Sequence, residues 1–198
     1  MRPFGVLALQ GDFAAHRRAF EDLSVPVREV RRVRELRDLS GLVIPGGEST
    51  TLLNLMGDEP WFDGLRELAA GGGVLLGTCA GAILLAREVR PTQKSLGLLD
   101  AVIERNAYGR QVDSFEARIE APALGEPLHG VFIRAPRFRA LWPDVEVLGR
   151  HDGEPVLVGQ GRVLAATFHP ELTASRALHR HAAELAAHPP SARARRSA

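Results

Sequence analysis

One cysteine and one lysine occur in 198 residues. With Cys79 alone, an internal disulfide is impossible and no second thiolate exists to build a cysteine metal site. A reducing, cytoplasmic setting is the expectation. An excess of either charge is also missing: 25 basic residues face 24 acidic ones, a formal charge of +1, which argues against chain-wide attraction to nucleic acid. Apart from Lys94 the basic residues are arginines, interleaved with acids; the run Arg28–Arg34 reads as a solvated face near a strand end. Long apolar stretches are absent too, and none approaches the roughly 20 residues that span a bilayer. The opening Met1–Gly5 leads into a strand-like segment rather than a signal-peptide pattern. What is present is 45% hydrophobic and 25% charged residues, the balance of a globular chain with a core of its own.

The first half alternates strand and helix signals. Phe4–Leu9, Pro26–Val30, Gly41–Ile44 and Val74–Gly77 are short apolar runs of buried-strand type. Asp12 is a candidate N-cap for a helix carrying Phe13, Phe20 and Leu23 on one face. Ser49–Thr51 opens another through Leu52, Leu53 and Met56, and a third begins near Cys79. Strands buried on both faces and separated by helices imply a mainly parallel sheet covered on two sides. Such a sheet places ligands at the carboxyl ends of its strands, where Gln10-Gly11, Pro45-Gly46-Gly47 and Thr78-Cys79 fall. The second half is richer in strand signals: Phe115–Glu120 and Glu146–Arg150 alternate, and Pro155–Ala165 reads as a hairpin turning at Gln160-Gly161. A last helix is expected after Thr173 to about Ala187. One domain over residues 1–188 and a disordered basic tail over 189–198 are expected.

Three constellations carry chemistry. Gly77-Thr78-Cys79-Ala80-Gly81 has the Gly-x-nucleophile-x-Gly form of a nucleophile elbow. A side chain there stands above the sheet, and the free N–H groups and positive dipole end of the next helix favour a thiolate and an oxyanion. A tight turn merely packed on a neighbour has the same spelling. Phe168-His169-Pro170-Glu171 offers a base in His169 and an orienting carboxylate in Glu171; alone, it is equally an ordinary loop. In Pro45–Thr50, Gly46 and Gly47 permit close backbone approach to a ligand, and the absence of a P-loop lysine argues against a nucleotide. Glu48 is either a contact for a ligand's ammonium or a plain first-turn helix acid. His16, His179, His181 and His188 are assigned solvated or packing roles in or beside helices. His129 and His151 fall in turn-rich stretches with no visible partner.

Taken together, these segments resemble the glutaminase subunit of the two-component pyridoxal 5'-phosphate synthase, the PdxT (Sno) family of class I triad glutamine amidotransferases. The resemblance rests on Val6–Gly11, Ile44–Thr51, Gly77–Gly81, Arg105–Gln111 with Ser114-Phe115-Glu116, Phe132–Pro136 and Phe168–Thr173. It implies an α/β, three-layer, flavodoxin-like fold with a central, mainly parallel sheet. It implies Cys79 as nucleophile, His169 as base and Glu171 as orienting carboxylate. Gly47, Glu48 and Ser49 would line the glutamine site, with Arg105, Ile133 and Arg134 opposite, and backbone N–H groups near Gly47 and Ala80 would form the oxyanion hole. The products would be glutamate and ammonia, the ammonia passing to a synthase subunit of the PdxS/Snz family in a large hetero-oligomer that switches the glutaminase on. No metal or bound cofactor is implied. A glutaminase feeding another synthase lacks the Asn106–Gln111 block; a non-enzymic module on the same scaffold needs no triad; a peptidase or esterase has no use for the glutamine-site residues.

Overall fold

The computed structural model describes residues 2–107 and 114–188. Along the chain run β1 (Phe4–Leu7), α1 (Phe13–Asp22), β2 (Val27–Val30), β3 (Gly41–Ile44), α2 (Ser49–Met56), α3 (Trp61–Ala70), β4 (Val74–Thr78) and α4 (Ala80–Leu85). There follow β5 (Ala86–Arg90), β6 (Leu99–Glu104), β7 (Ser114–Ile119), β8 (Leu128–Ile133), β9 (Arg137–Leu141), β10 (Glu146–His151), β11 (Glu154–Gln160), β12 (Val163–Ala166) and α5 (Ala177–Ala187).

Among the described residues the main sheet has seven strands in the order β10-β11-β12-β4-β3-β1-β2. The five from β12 to β2 are mutually parallel, and β10 and β11 join antiparallel at one edge. Alternation along each strand divides its side chains between two cores, as the two-residue repeat requires. Leu7, Leu42, Ile44 and Leu75 pack with Leu52, Trp61, Leu65 and Ile83 from α2, α3 and α4. Phe4, Val6, Val43, Val74 and Leu76 pack on the other face with Phe20 of α1 and Leu178 and Ala182 of α5. The expected three-layer α/β arrangement is the one observed. None of the described helices is long and apolar enough to cross a membrane.

Expected elements fall close to their residues. Asp12 caps α1, its carboxylate accepting from the Ala15 N–H at 2.9 Å. The hairpin β11–β12 turns through Gly161, whose φ is +58°. Two smaller sheets, β5-β6-β9 and β7-β8, complete the strands; β7 falls on the alternating Phe115–Glu120, whereas β5, β6, β8, β9 and helix α3 have no counterpart in the sequence reading. His129 lies in β8 and His151 in β10. His151 has partners after all: Nδ1 is 3.3 Å from the Arg118 carbonyl, and its ring lies against Phe115 and Phe132. Strand pairing, invisible to local pattern, created those contacts. Arginines of the Arg28–Arg34 run pair with acids at the surface, Arg31 with Glu29 and Arg32 with Glu59. Tyr108–Gln111 and the expected tail over 189–198 lie outside the described residues.

Register decides where the chemistry gathers. Ile44 pairs with Gly77, and Ala166 with Thr78. β3, β4 and β12 therefore end level, and the residues just beyond them meet: Pro45–Gly47, Cys79 and Thr167–His169.

Candidate active site

Cys79 joins β4 to α4 with φ +47° and ψ −103°. A residue with a Cβ held there costs on the order of 1–3 kcal/mol, so the surroundings must impose it. The Cys79 N–H donates to the Ala166 carbonyl at 2.8 Å, which anchors the turn to β12. Bulk is excluded on both sides: a Cβ on Gly77 would lie 2.5 Å from the Gly81 backbone, and one on Gly81 would lie 1.9 Å from the Ile44 carbonyl oxygen. All six residues of α4 are buried. The elbow spelled by the sequence is an elbow in three dimensions, with Cys79 at 5% exposure.

His169 follows β12, its N–H donating to the Val131 carbonyl at 2.8 Å. Pro170 begins a single 3-10 turn, Pro170–Leu172, that swings Glu171 back toward the ring. Nδ1 of His169 lies 2.8 Å from Glu171 Oε1, which leaves Nε2 for the Cys79 thiol, the ring's other bonding partner. Burial disfavours the charged imidazole, but hydrogen bonds to Cys79 and Glu171 and the negative charge of both outweigh it and raise the His169 pKa to about 10. Burial also works against the Glu171 carboxylate; the charge and close approach of His16, and the hydrogen bond to His169, overcome it and hold Glu171 well below the usual carboxylate range. Cys79 and the neighbouring pair His169 and Glu171, distant from it in sequence, thus bring a thiol, an imidazole and a carboxylate together.

A cavity of about 440 Å³ opens over the thiol. Gly47, Glu48, Ser49, Arg105, Ile133 and Arg134 all line it, so the residues expected to bind the ligand share one cavity. The Arg105 guanidinium donates to Glu48 Oε1 at 3.0 Å, while the Glu48 carboxylate also accepts from the Thr50 N–H and hydroxyl. Glu48 is therefore both the helix-capping acid and a partner in a cavity-facing ion pair, and the two readings of it are compatible. Adjacent opposite charges suit a zwitterion, whose carboxylate and ammonium can exchange places with them. The Ser49 hydroxyl donates to Gln93 Oε1 at 2.8 Å. Ala80 is the first residue of α4, so its N–H has no acceptor within the helix. A wider depression of about 660 Å³ beside Arg118, Glu120 and Arg150 contains no thiol or triad group.

Three contacts in and beside the site were not expected from the sequence. Gly46 abuts the ring of His169 so closely that a Cβ there would lie 2.3 Å from Cε1. His16 and His179, assigned solvated or packing roles, are fully buried, which leaves packing of those two roles, and are bonded to each other, with His16 against Glu171. For His16 a signal existed: it shares one helical face with Phe20, four residues on.

Known proteins resemble this chain over most of its length. A family model described as the SNO glutamine amidotransferase family matches residues 6–184. The chain is 54% identical over 185 residues to pyridoxal 5'-phosphate synthase subunit PdxT of a Thermus thermophilus strain, covering 92% of this chain and 96% of that one. It is 53% identical over 176 residues to the PdxT subunit of Koribacter versatilis, covering 88% and 91%. A crystal structure described as a glutamine amidotransferase superposes with a TM-score of 0.88 at 51% identity, covering 93% of this chain and 99% of that one.

Proposed function

The chain belongs to the SNO glutamine amidotransferase family, and from that premise we propose that it hydrolyses L-glutamine at Cys79 and supplies the ammonia to a synthase subunit that makes pyridoxal 5'-phosphate. The observation that carries the chemistry is the buried line from thiol to imidazole to carboxylate, with Nδ1 of His169 2.8 Å from Glu171. Relatives that bear the name of a pyridoxal 5'-phosphate synthase subunit, matched over most of both chains, support the destination of the ammonia.

The steps follow from the protonation states. Glu171 keeps Nδ1–H of His169 pointed at itself, so Nε2 serves the sulfur. With its pKa raised to about 10, His169 holds a proton at neutral pH and balances a Cys79 thiolate. Sulfur attacks the side-chain carbonyl carbon of glutamine, and the resulting oxyanion is met by backbone N–H groups of Gly47 and Ala80. As the C–N bond breaks, Nε2–H of His169 protonates the nitrogen and ammonia leaves, with a glutamyl thioester on Cys79. His169, now neutral, takes a proton from water as its oxygen attacks the thioester; the C–S bond breaks and glutamate departs. Arg105 receives the substrate's α-carboxylate and Glu48 its ammonium, with Ser49, Ile133 and Arg134 completing the walls. Neither a metal nor a cofactor has a task in these steps.

Ile133 and Leu172, at 38% and 43% exposure, leave apolar side chains at the cavity rim. A partner of the PdxS/Snz family covering them would close the cavity to water and steer ammonia inward, and the assembly would be a large hetero-oligomer. The test is pyridoxal 5'-phosphate formation by this chain with that synthase subunit, using glutamine or ammonium salt as nitrogen source. Glutamine-dependent formation that needs this chain, and ammonium-dependent formation that does not, is the expected pattern. Glutamine-driven synthesis by the partner alone, or none with both present, would refute it. Ammonia release from glutamine should also rise when the partner is added; equal rates would sink the activation claim.

A further inference from the structure

Behind Glu171 stand two histidines to which the reaction above gives no task. His16 comes from α1 and His179 from α5, and both are fully buried. Nε2 of His16 lies 3.3 Å from Glu171 Oε2 and 3.3 Å from Thr78 Oγ1. Its Nδ1 lies 2.9 Å from Nε2 of His179. The line Cys79–His169–Glu171 is thus continued by two more titratable groups, and a side branch reaches the residue next to the nucleophile.

Proton bookkeeping fixes the direction of these contacts. An ionised carboxylate only accepts, so Nε2 of His16, 3.3 Å from Glu171 Oε2, must carry its hydrogen; that hydrogen is aligned with Thr78 Oγ1, and the carboxylate oxygen sits beside it. Nδ1 of His16 then either accepts from His179 or, if His16 is charged, donates to it. His179 stays neutral in both cases: burial, and then the charge of His16 beside it, lower its pKa to about 3. Its own Nδ1 is buried and unbonded, so the hydrogen bond to His16 is the one that orients the ring. The groups bearing on this pair are Glu171, His169 beyond it, Thr78, and Arg176, whose charge acts on His179.

A buried carboxylate with one oxygen unsatisfied is costly. Oε1 of Glu171 is bonded to His169, whereas Oε2 has no aligned hydrogen bond and faces His16 instead. Were His16 removed, Oε2 would lose that counterpart, and rotation of the carboxylate would release Nδ1 of His169. The imidazole would then no longer be aimed at sulfur.

We propose that His16 is a positioning residue of the glutaminase site, its Nε2–H bonded to Thr78 and holding the Glu171 carboxylate in place by electrostatic attraction at 3.3 Å, with His179 orienting the His16 ring. The proposal rests on the triad reading of Cys79, His169 and Glu171. A merely structural role predicts losses that follow core volume. Positioning predicts losses that follow the place of one N–H group.

The test compares ammonia release from glutamine by the full-length chain with its synthase partner, in wild type, His16→Phe, His16→Gln and His16→Asn. Glutamine puts its amide near the place of Nε2, whereas asparagine puts it near Nδ1, out of reach of Glu171. His16→Phe and His16→Asn should each lower kcat about 10–100-fold, the usual cost of losing an outer-shell partner, with KM for glutamine unchanged. His16→Gln should recover most of the rate. In the ¹⁵N spectrum, the Nδ1 proton of His169 should keep its hydrogen-bonded shift in His16→Gln and lose it in His16→Asn. Should His16→Phe fail to fold, the glutamine–asparagine pair still decides. Equal rates for those two, or a wild-type kcat in His16→Phe, would overturn the proposal. Cys79→Ala run alongside separates the cases, since its retained activity would sink the triad reading instead.

Discussion

Gly46→Ala is the smallest change that should disable the site while sparing the fold. Gly46 follows β3 and its φ is not in the left-handed region, so alanine meets no backbone penalty there. The added methyl would, however, stand 2.3 Å from Cε1 and 2.9 Å from Nδ1 of His169, and 3.2 Å from Cβ of Cys79. Ordinary van der Waals contact begins near 3.4 Å, so the ring must retreat by about 1 Å. It cannot do so and keep the 2.8 Å contact with Glu171 Oε1. Misplacing a reacting group by about 1 Å costs on the order of 100-fold in rate. The assay is steady-state ammonia release from glutamine with the synthase partner present, beside thermal unfolding of the variant. A roughly 100-fold fall in kcat with a cooperative transition near that of the wild type is expected. A kcat within twofold of wild type would show that the His169 ring needs no fixed seat, and the reasoning would fail.

Other perturbations probe other parts of the site. Glu171→Gln keeps an acceptor but removes the charge that helps hold His169 protonated, so the His169 pKa, raised to about 10 in the wild type, should fall in an NMR titration, and kcat should fall with it. Stability carries the same signature with opposite signs for the two groups. The Glu171 contribution is present above the ordinary 4.5 and lost as pH falls below it; that of His169 is full below 6.5 and lost as pH rises through about 10. The wild type's advantage over Glu171→Gln in denaturant melts should therefore be largest between about pH 4.5 and 6.5, and an advantage that grew steadily toward pH 10 would contradict the assignment. Arg105→Gln takes away one charge-assisted bond to the substrate carboxylate and should raise KM for glutamine roughly 10–100-fold with a much smaller change in kcat. An unchanged KM would remove Arg105 from the binding site.

Much of this was written in the chain because its local signals and its tertiary structure agree. Gly41–Ile44 and Val74–Gly77 read as buried strands because both faces of those strands are covered, and Asp12 read as a cap because it caps. The elbow was legible for a steric reason: only glycine fits at Gly77 and Gly81, so the packing leaves its mark in the spelling. Of the small sheets only β7 was legible, in the alternation of Phe115–Glu120. In β5 only Ala86 and Val89 are buried, the arginines and Glu88 pointing outward, and five such residues have no decisive periodicity. The pairing of His16 with His179 hid for a different reason: only the meeting of α1 and α5, across 163 positions of sequence, brings the two rings together. The ion pair of Glu48 with Arg105, 57 positions apart, is equally a product of the fold.

The proposed reaction depends on sulfur chemistry at Cys79. The most direct measurement is single-turnover mixing of the chain and its synthase partner with glutamine, followed by acid quench and mass analysis of the peptide containing residue 79, in wild type and Cys79→Ala. A glutamyl adduct on Cys79 that forms and decays as ammonia appears, with neither adduct nor ammonia from the variant, is the predicted result. Ammonia released at the wild-type rate by Cys79→Ala would contradict the account.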